Sequence, residues 1–322
     1  MYRLKNFFLL PLILLVFATA CDKDENGEDT GRLILSVTDA PIDQPHVSGV
    51  YITFEQIDYQ VGGNWQSLED FDGPRTINLL DYMEGESALL GDFKVTPGEY
   101  SGLRFVLDAP VLGSSSPDNP GSYIEYDDET TFPLFIPEGG ETGFEAQGSF
   151  TVPAGDMILV TADFDLRKSV VIAGEGGKYL LKPSIRLVIQ GETGQIAGSV
   201  IGADDFADLI LFAYEAGEYS DEEASDPEVE QPRFPNAVNS SLVSGGSYVL
   251  PFLYPGSYEL VITEFEFGDL IQVVDTLQAI QVERNITTTL NLNLGDEDDD
   301  DDNGDDENGN NNGDDDNGDE GE

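Results

Sequence analysis

The sequence predicts an all-β protein: two β-sandwiches in series, immunoglobulin-like or transthyretin-like, followed by a disordered acidic tail. Three observations carry that prediction. Apolar residues recur at every second position in one segment after another, as in Ile158, Val160, Ala162 and Phe164, or Ile185, Leu187 and Ile189, which is the period of a half-buried strand. Clusters of Gly, Pro and Asp punctuate these segments at short intervals. Between residues 31 and 294 no stretch keeps a long helical period, and the best short helix candidate is residues 79–90.

The chain opens with a leader. Arg3 and Lys5 precede an apolar run from Phe7 to Phe17, and Ala18-Thr19-Ala20 leads to Cys21, the single cysteine. A basic start, a short apolar stretch and a small-residue exit make a secretory signal peptide, residues 1–20. The run is too short to cross a bilayer as a stable helix. Cysteine just after the cut resembles the lipobox of bacterial lipoproteins, with Ala18 where most lipoboxes carry Leu. That resemblance implies cleavage before Cys21, a diacylglycerol on its thiol and an acyl chain such as palmitate on the new amine. The membrane is then a partner through lipid, since two or more chains anchor stably at about 0.8 kcal/mol per buried methylene.

Residues 21–30 form an acidic tether. Within it, Lys23, Asp24 and Glu25 resemble the export signal of lipoproteins in Bacteroidetes-type bacteria. The resemblance implies the outer membrane, with the body facing the cell exterior.

Composition narrows the partners. Asp and Glu total 64 against 14 Lys and Arg, a formal charge of −50. Nucleic acid is excluded, because phosphate contacts need clustered Lys and Arg. Anionic headgroups are repelled too, so acyl chains rather than charge must hold the protein to a membrane. With Cys21 lipidated, no intrachain disulfide forms, and stability must come from packed cores.

The first sandwich spans residues 31–190. Residues 32–38 open it, and Asp39-Ala40-Pro41 stops the strand. Val50, Ile52 and Phe54 then alternate with polar neighbours; the pattern slips by one at Gln56 and resumes at Ile57, Tyr59 and Val61. One extra residue in an alternating strand is a β-bulge. Gly62-Gly63 turns the chain and Trp65 begins the return. Gly191 to Gly194 interrupts the strand pattern and marks the boundary.

The second sandwich spans residues 194–294. It holds Ile196 to Val200, the apolar run Leu209 to Tyr214, a polar loop from Glu215 to Asn236, and further strands at 248–250, 258–262 and 271–274. Ile286, Thr288, Leu290, Leu292 and Leu294 predict one last, half-exposed strand. Roughly seven short strands with turns between them argue a sandwich of about 100 residues. The halves share a phrase, Thr96-Pro97-Gly98-Glu99-Tyr100 and Tyr254-Pro255-Gly256-Ser257-Tyr258, a Pro-Gly turn before a Tyr that starts a strand. Residues 295–322 contain only Asp, Glu, Asn and Gly, with no apolar side chain to offset the entropy of ordering.

Two resemblances follow from these phrases. Residues Leu35 to Asp39 with Pro41, Val50 to Ile52, Trp65, Ile77 to Leu80, Leu90-Gly91, Pro97 to Tyr100, Leu103-Arg104, Asp163 to Asp165, Lys168 to Val170 and Leu181 to Pro183 resemble, in order, the DUF4382 family of bacterial surface lipoproteins. That implies an architecture and an address but no activity. Gly194 to Val200, Gly246 to Tyr248 and Leu253 to Tyr258 resemble the carboxypeptidase regulatory-like (transthyretin-like) domain, which implies support or adhesion rather than catalysis.

Candidate chemistry is sparse. His46 is the only histidine, so any Ser-His-Asp, Cys-His or His-based zinc arrangement would have to use that one ring, and no G-x-S-x-G elbow exists. Asp163 and Asp165 flank Phe164 and share one strand face. If the first and late strands are neighbours, Asp39 approaches them. Two arrangements then satisfy these acids: Asp39, Asp163 and Asp165 converging on calcium, the one cofactor the sequence suggests, or Asp39 capping its turn while Asp165 pairs with Arg167 or Lys168. In the tail, Asp299, Asp301, Asn303 and Gly304 fit half of a calcium loop, but Asn310 stands where the bidentate Glu belongs. Aromatic faces stack on sugar rings; Tyr51, Tyr123 and Tyr126 are candidates, and Tyr59 with Trp65, flanking one turn, form the candidate glycan platform.

These readings predict a non-enzymatic cell-surface lipoprotein, a binding or adhesion module whose partner is a glycan or a surface protein. The alternative is a glycan-binding or polysaccharide-processing component of an outer-membrane nutrient system.

Overall fold

The computed structural model describes residues 30–40, 46–173, 177–203 and 206–295. Cys21, Lys23, Asp24, Glu25 and the tail from residue 296 lie outside them. Among the described residues no helix is long and apolar enough to cross a membrane.

The N-terminal part contains strands β1 (Gly31–Ala40), β2 (Val47–Val61), β3 (Asn64–Ser67), β4 (Arg75–Asn78), β5 (Ala88–Val95), β6 (Gly98–Leu107), β7 (Tyr123–Tyr126), β8 (Thr131–Phe135), β9 (Phe144–Ala146), β10 (Phe150–Val152) and β11 (Met157–Asp165). The one-turn α-helix α1 (Leu166–Ser169), β12 (Val170–Ala173), β13 (Lys178–Leu181) and β14 (Ile185–Ile189) complete it. The C-terminal part contains β15 (Gly194–Ile201), β16 (Asp208–Glu215), β17 (Asn239–Leu242), β18 (Ser247–Leu253), β19 (Gly256–Glu266), β20 (Asp269–Val282), β21 (Thr287–Thr289) and β22 (Leu292–Asn293). The protein is all-β.

A four-stranded sheet, β14-β11-β1-β5, faces a ten-stranded one whose main path is β10-β6-β2-β7-β8-β13-β12; β3 and β4 also pair with β2, and β9 with β6. The alternation seen in the sequence points Leu33, Leu35 and Val37 of the small sheet at Ile52, Phe54 and Ile57 of the large one, all fully buried. At the centre Phe164 meets Phe54 at 5.5 Å and Phe105 at 5.6 Å, edge to face in both cases. Each such pair adds roughly 0.5–1.5 kcal/mol beyond its buried area.

The bulge expected in β2 is present: its register against β6 shifts between Phe54 and Gln56. The expected hairpin turn is also present. Gly62 and Gly63 both take positive φ, 58° and 81°, the backbone of a two-residue turn matched to strand twist. The helix expected over residues 79–90 is not formed. Only Leu79–Tyr82 makes a 3-10 turn, and β5 already begins at Ala88. Glu84 and Gly85 adopt positive φ, which a right-handed helix cannot contain.

In the C-terminal part, β18-β15-β21 with β22 packs on β17-β16-β19-β20. Ile196, Val200 and Leu250 of the first sheet bury against Leu209, Leu211, Leu260 and Ile262 of the second. The other face of the second sheet is buried too, by Phe234 and Ala237 of the loop after β16 against Phe212, Tyr214 and Val261. Burial on both faces explains why Leu209 to Tyr214 reads as a continuous apolar run.

The single last strand expected over residues 286–294 is split into β21 and β22, each parallel to β15. The break has identifiable causes. The Tyr248 hydroxyl donates to the Leu290 carbonyl at 2.8 Å, and Asn291 Oδ1 accepts from the Ser199 amide at 3.0 Å. Gly198 is required here, because a Cβ would lie 1.8 Å from the Leu290 oxygen.

Candidate functional site

A cleft lined by polar and aromatic side chains opens on the outer face of the large sheet. Along β2 the inward residues are Val50, Ile52, Phe54 and Ile57, all fully buried. The bulge absorbs one residue, so Tyr51, Thr53, Asp58 and Gln60 all stay on the opposite face. Tyr51 stands in register with Asn78 of β4 on one side and Tyr123 of β7 on the other. The two tyrosine rings stack at 4.6 Å with a 14° interplanar angle.

Polar groups fix the surroundings of this stack. Asn78 Oδ1 accepts from the Val50 amide at 3.0 Å, while its Nδ2 donates to Asp81 Oδ1 at 3.0 Å. Thr53 Oγ1 donates to the Gly121 carbonyl and lies 2.7 Å from Thr76 Oγ1. A hydrogen bond to Glu125 pushes the Tyr51 phenol up, and burial does the same to Tyr123, so both stay neutral donors at ordinary pH. The cleft so formed has a volume of about 770 Å³, with Arg75, Asp81, Tyr82, Asp108 and Asn119 on its walls. Ring faces beside fixed amide, carboxylate and guanidinium groups suit a ligand with apolar C–H faces and many hydroxyls.

Tyr59 and Trp65 do not form the expected platform. In the β2–β3 hairpin Tyr59 pairs with Gln66 and Trp65 with Gln60, so alternation sends the rings to opposite faces. Tyr59 turns to the core side and packs on Tyr100 at 5.2 Å. Trp65 lies on the outer face, close to Gly102, with the Arg104 guanidinium 4.6 Å from its ring centroid. Arg104 in turn bonds the buried Asp58 carboxylate, which also accepts from Gln56 and Ser67.

The first and late strands are neighbours, as the acid-cluster reading required: β1 runs parallel to β11, with Thr38 opposite Asp163 and Ala40 opposite Asp165. Each acid nevertheless meets a protein donor. Asp163 takes Arg186 at 2.7 Å, and burial pushes its carboxyl up against that pull. Asp165 pairs with both Arg167 and Lys168, at 3.2 and 3.3 Å, and caps α1 by accepting from the Lys168 amide. Asp39 Oδ1 accepts from the Leu166 amide, 127 positions away in sequence; the turn that Asp39 was expected to cap lies outside the described residues. Among the described residues no group of three or more His, Cys, Asp or Glu is arranged to hold a metal.

This acid-and-base cluster has a structural consequence. Arg167 Nη1 donates to the carbonyls of Arg233 and Phe234 at 2.6 and 3.0 Å, and its guanidinium lies 5.2 Å from the Phe212 ring centroid. Lys168 reaches the Ala237 carbonyl, and Lys182 pairs with Glu230 at 2.9 Å. The DFDLRKS segment therefore docks the N-terminal sandwich on the loop that covers the C-terminal sheet. His46, at positive φ before β2, lies beside Asp127, with Nδ1 3.3 Å from Oδ2.

No curated protein matches the sequence. Similar solved structures include the Bacillus anthracis TIE protein, 10% identical, covering 83% of this chain and 34% of that one with a TM-score of 0.20. A leucine-rich repeat protein from Bacteroides thetaiotaomicron is 10% identical, covering 83% and 26% with a TM-score of 0.17. The chain thus spans about a third and about a quarter of the length of these two. The shaft pilin SpaA of Lactobacillus rhamnosus GG is 11% identical, covering 83% and 99% with a TM-score of 0.22. Residues 30–183 match the family model described as Domain of unknown function (DUF4382).

Proposed function

We propose that the protein is a non-catalytic surface lipoprotein that binds glycan in the Tyr51–Tyr123 cleft. The stacked tyrosine pair beside Asn78 and Asp81 is the observation that carries this reading. Sugar rings offer C–H faces to aromatic rings and hydroxyls to fixed amides and carboxylates. The leader and Cys21 support lipid attachment, and Lys23, Asp24 and Glu25 support display on the outer membrane, facing the exterior. In this reading residues 31–190 form the binding module, residues 194–294 a carboxypeptidase regulatory-like support, and residues 295–322 a solvated acidic brush.

Glycan-array binding followed by calorimetry on the chain from residue 22 tests the proposal. Tyr51→Ala and Tyr123→Ala weaken binding at least about tenfold, the loss of roughly 1.4 kcal/mol of ring contact, while Trp65→Ala leaves it intact. Equal affinity in all three variants refutes the assigned cleft. Turnover of a bound polysaccharide that is lost in Asp81→Asn or Asp108→Asn replaces this reading with a processing enzyme.

A further inference from the structure

A second cleft, of about 530 Å³, opens at the margin of the N-terminal core, away from the tyrosine stack. Its walls come from the core-facing side of the large sheet. Phe132 is in register with the fully buried Ile124, Tyr126 follows two residues later on the same face, and Tyr179 is in register with the fully buried Leu134. At these three positions the core ends in rings that remain accessible; Phe132 keeps 41% of its surface exposed.

The three rings are inclined to one another rather than stacked. Tyr126 and Phe132 stand 5.7 Å apart at 80°, Phe132 and Tyr179 6.0 Å apart at 62°, and Tyr126 and Tyr179 6.5 Å apart at 48°. The centroids form a nearly equilateral triangle. An ion seated over this triangle stands within ~6 Å of all three centroids, the range in which a ring face attracts a cation. The hydroxyls of Tyr126 and Tyr179 share a hydrogen bond, which fixes two of the rings.

The rim carries the complementary charge. Asp127 and Asp128 both line the cleft, and the Asp128 carboxylate is held by the Thr130 amide at 3.0 Å. Among the described residues, the basic groups nearby are His46, against Asp127, and Lys178, whose ammonium sits 4.3 Å from the Phe135 centroid.

We propose that this cleft binds a methylated ammonium group. Such a cation has an apolar shell that fits aromatic walls, is weakly hydrated, and gains from ring quadrupoles and from rim carboxylates together. A primary ammonium loses more hydration on entering the same walls. The site is chemically distinct from the Tyr51–Tyr123 cleft and stands or falls separately from it.

Calorimetric titration of the full chain with choline, against its neutral isostere 3,3-dimethylbutan-1-ol, tests the assignment in about 150 mM salt, where diffuse attraction to the acidic chain is screened. Choline is expected to bind saturably and the isostere about tenfold more weakly, with Phe132→Ala and Asp127→Asn each costing about fivefold. Tyr179→Phe, which keeps the ring, retains binding within about twofold. Thermal melts confirm that each variant folds. Equal binding of the isostere reduces the site to a plain apolar hollow, and choline binding indifferent to Phe132→Ala reduces it to charge attraction; either result, or no saturation, overturns the proposal. Tyr51→Ala leaves choline binding unchanged, which separates this outcome from that of the glycan cleft.

Discussion

The hydroxyl of Tyr100 donates to the carbonyl of Thr96, four residues back, at 2.7 Å. The C-terminal sandwich repeats the contact: Tyr258 donates to Tyr254 at 2.8 Å. The phrase shared by the two halves is thus a turn closed by its own tyrosine. Both rings are buried, and burial lifts the Tyr100 phenol to about 12, so it remains a donor throughout the neutral range. Tyr100→Phe and Tyr258→Phe each remove one part-buried bond. Chemical denaturation should show a loss of about 1 kcal/mol for each, and the two losses should add.

Arg167 is the peg between the sandwiches. Its side chain is 1% exposed and serves Asp165, two loop carbonyls and the Phe212 ring. Arg167→Ala takes the guanidinium from the two loop carbonyls and leaves Asp165 with Lys168 alone, a loss of about 3 kcal/mol. Calorimetry should then resolve two unfolding transitions instead of one. Arg167→Lys should not restore the single transition, because an ammonium lacks the planar fork that reaches both carbonyls.

Asp58 makes the fold acid-sensitive. Burial pushes its carboxyl up, but bonds from Arg104, Gln56 and Ser67 outweigh that and hold it below 3.8. A depressed carboxylate contributes stability that is complete above its unfolded value and lost as pH falls through the folded one. Melting followed from pH 5 downward should therefore show a fall below 3.8 that is shallower in Asp58→Asn.

Calcium should leave a chain ending at Leu294 unmoved. Asp163 and Asp165 already hold Arg186, Arg167 and Lys168, and a divalent ion would have to displace these cations. A thermal shift with millimolar calcium in that truncated chain would show that it does.

Cys21→Ser should release the protein from membranes. Fractionation and mass spectrometry of the mature N-terminus read this directly: an acylated cysteine in the parent, and a soluble or uncleaved product in the variant.

What was legible in the sequence was local. The bulge at Gln56 and the Gly62-Gly63 turn show as a slip and a punctuation in one alternating pattern. The same turn also determines that Trp65 faces Gln60, which was enough to separate it from Tyr59; nearness to the turn obscured the parity. Glu84 and Gly85 broke a helix whose apolar spacing looked acceptable, because spacing says nothing about positive φ. The Tyr51–Tyr123 stack left no local trace, since it depends on pairing β2 with β7 across 72 residues. The rings of the second cleft likewise come from three strands; Tyr126 stands among the sequence candidates, but its meeting with Phe132 and Tyr179 depends on the fold.

The parallel ladder between β1 and β11 couples residues 32–40 to residues 157–165. During synthesis the opening strand therefore emerges long before one of its two neighbours exists. Until then one of its edges is unpaired, and such an edge recruits foreign strands. Chaperone cover over this interval, and a search slowed by distant pairing, are the demands that this topology places on the cell that makes the protein.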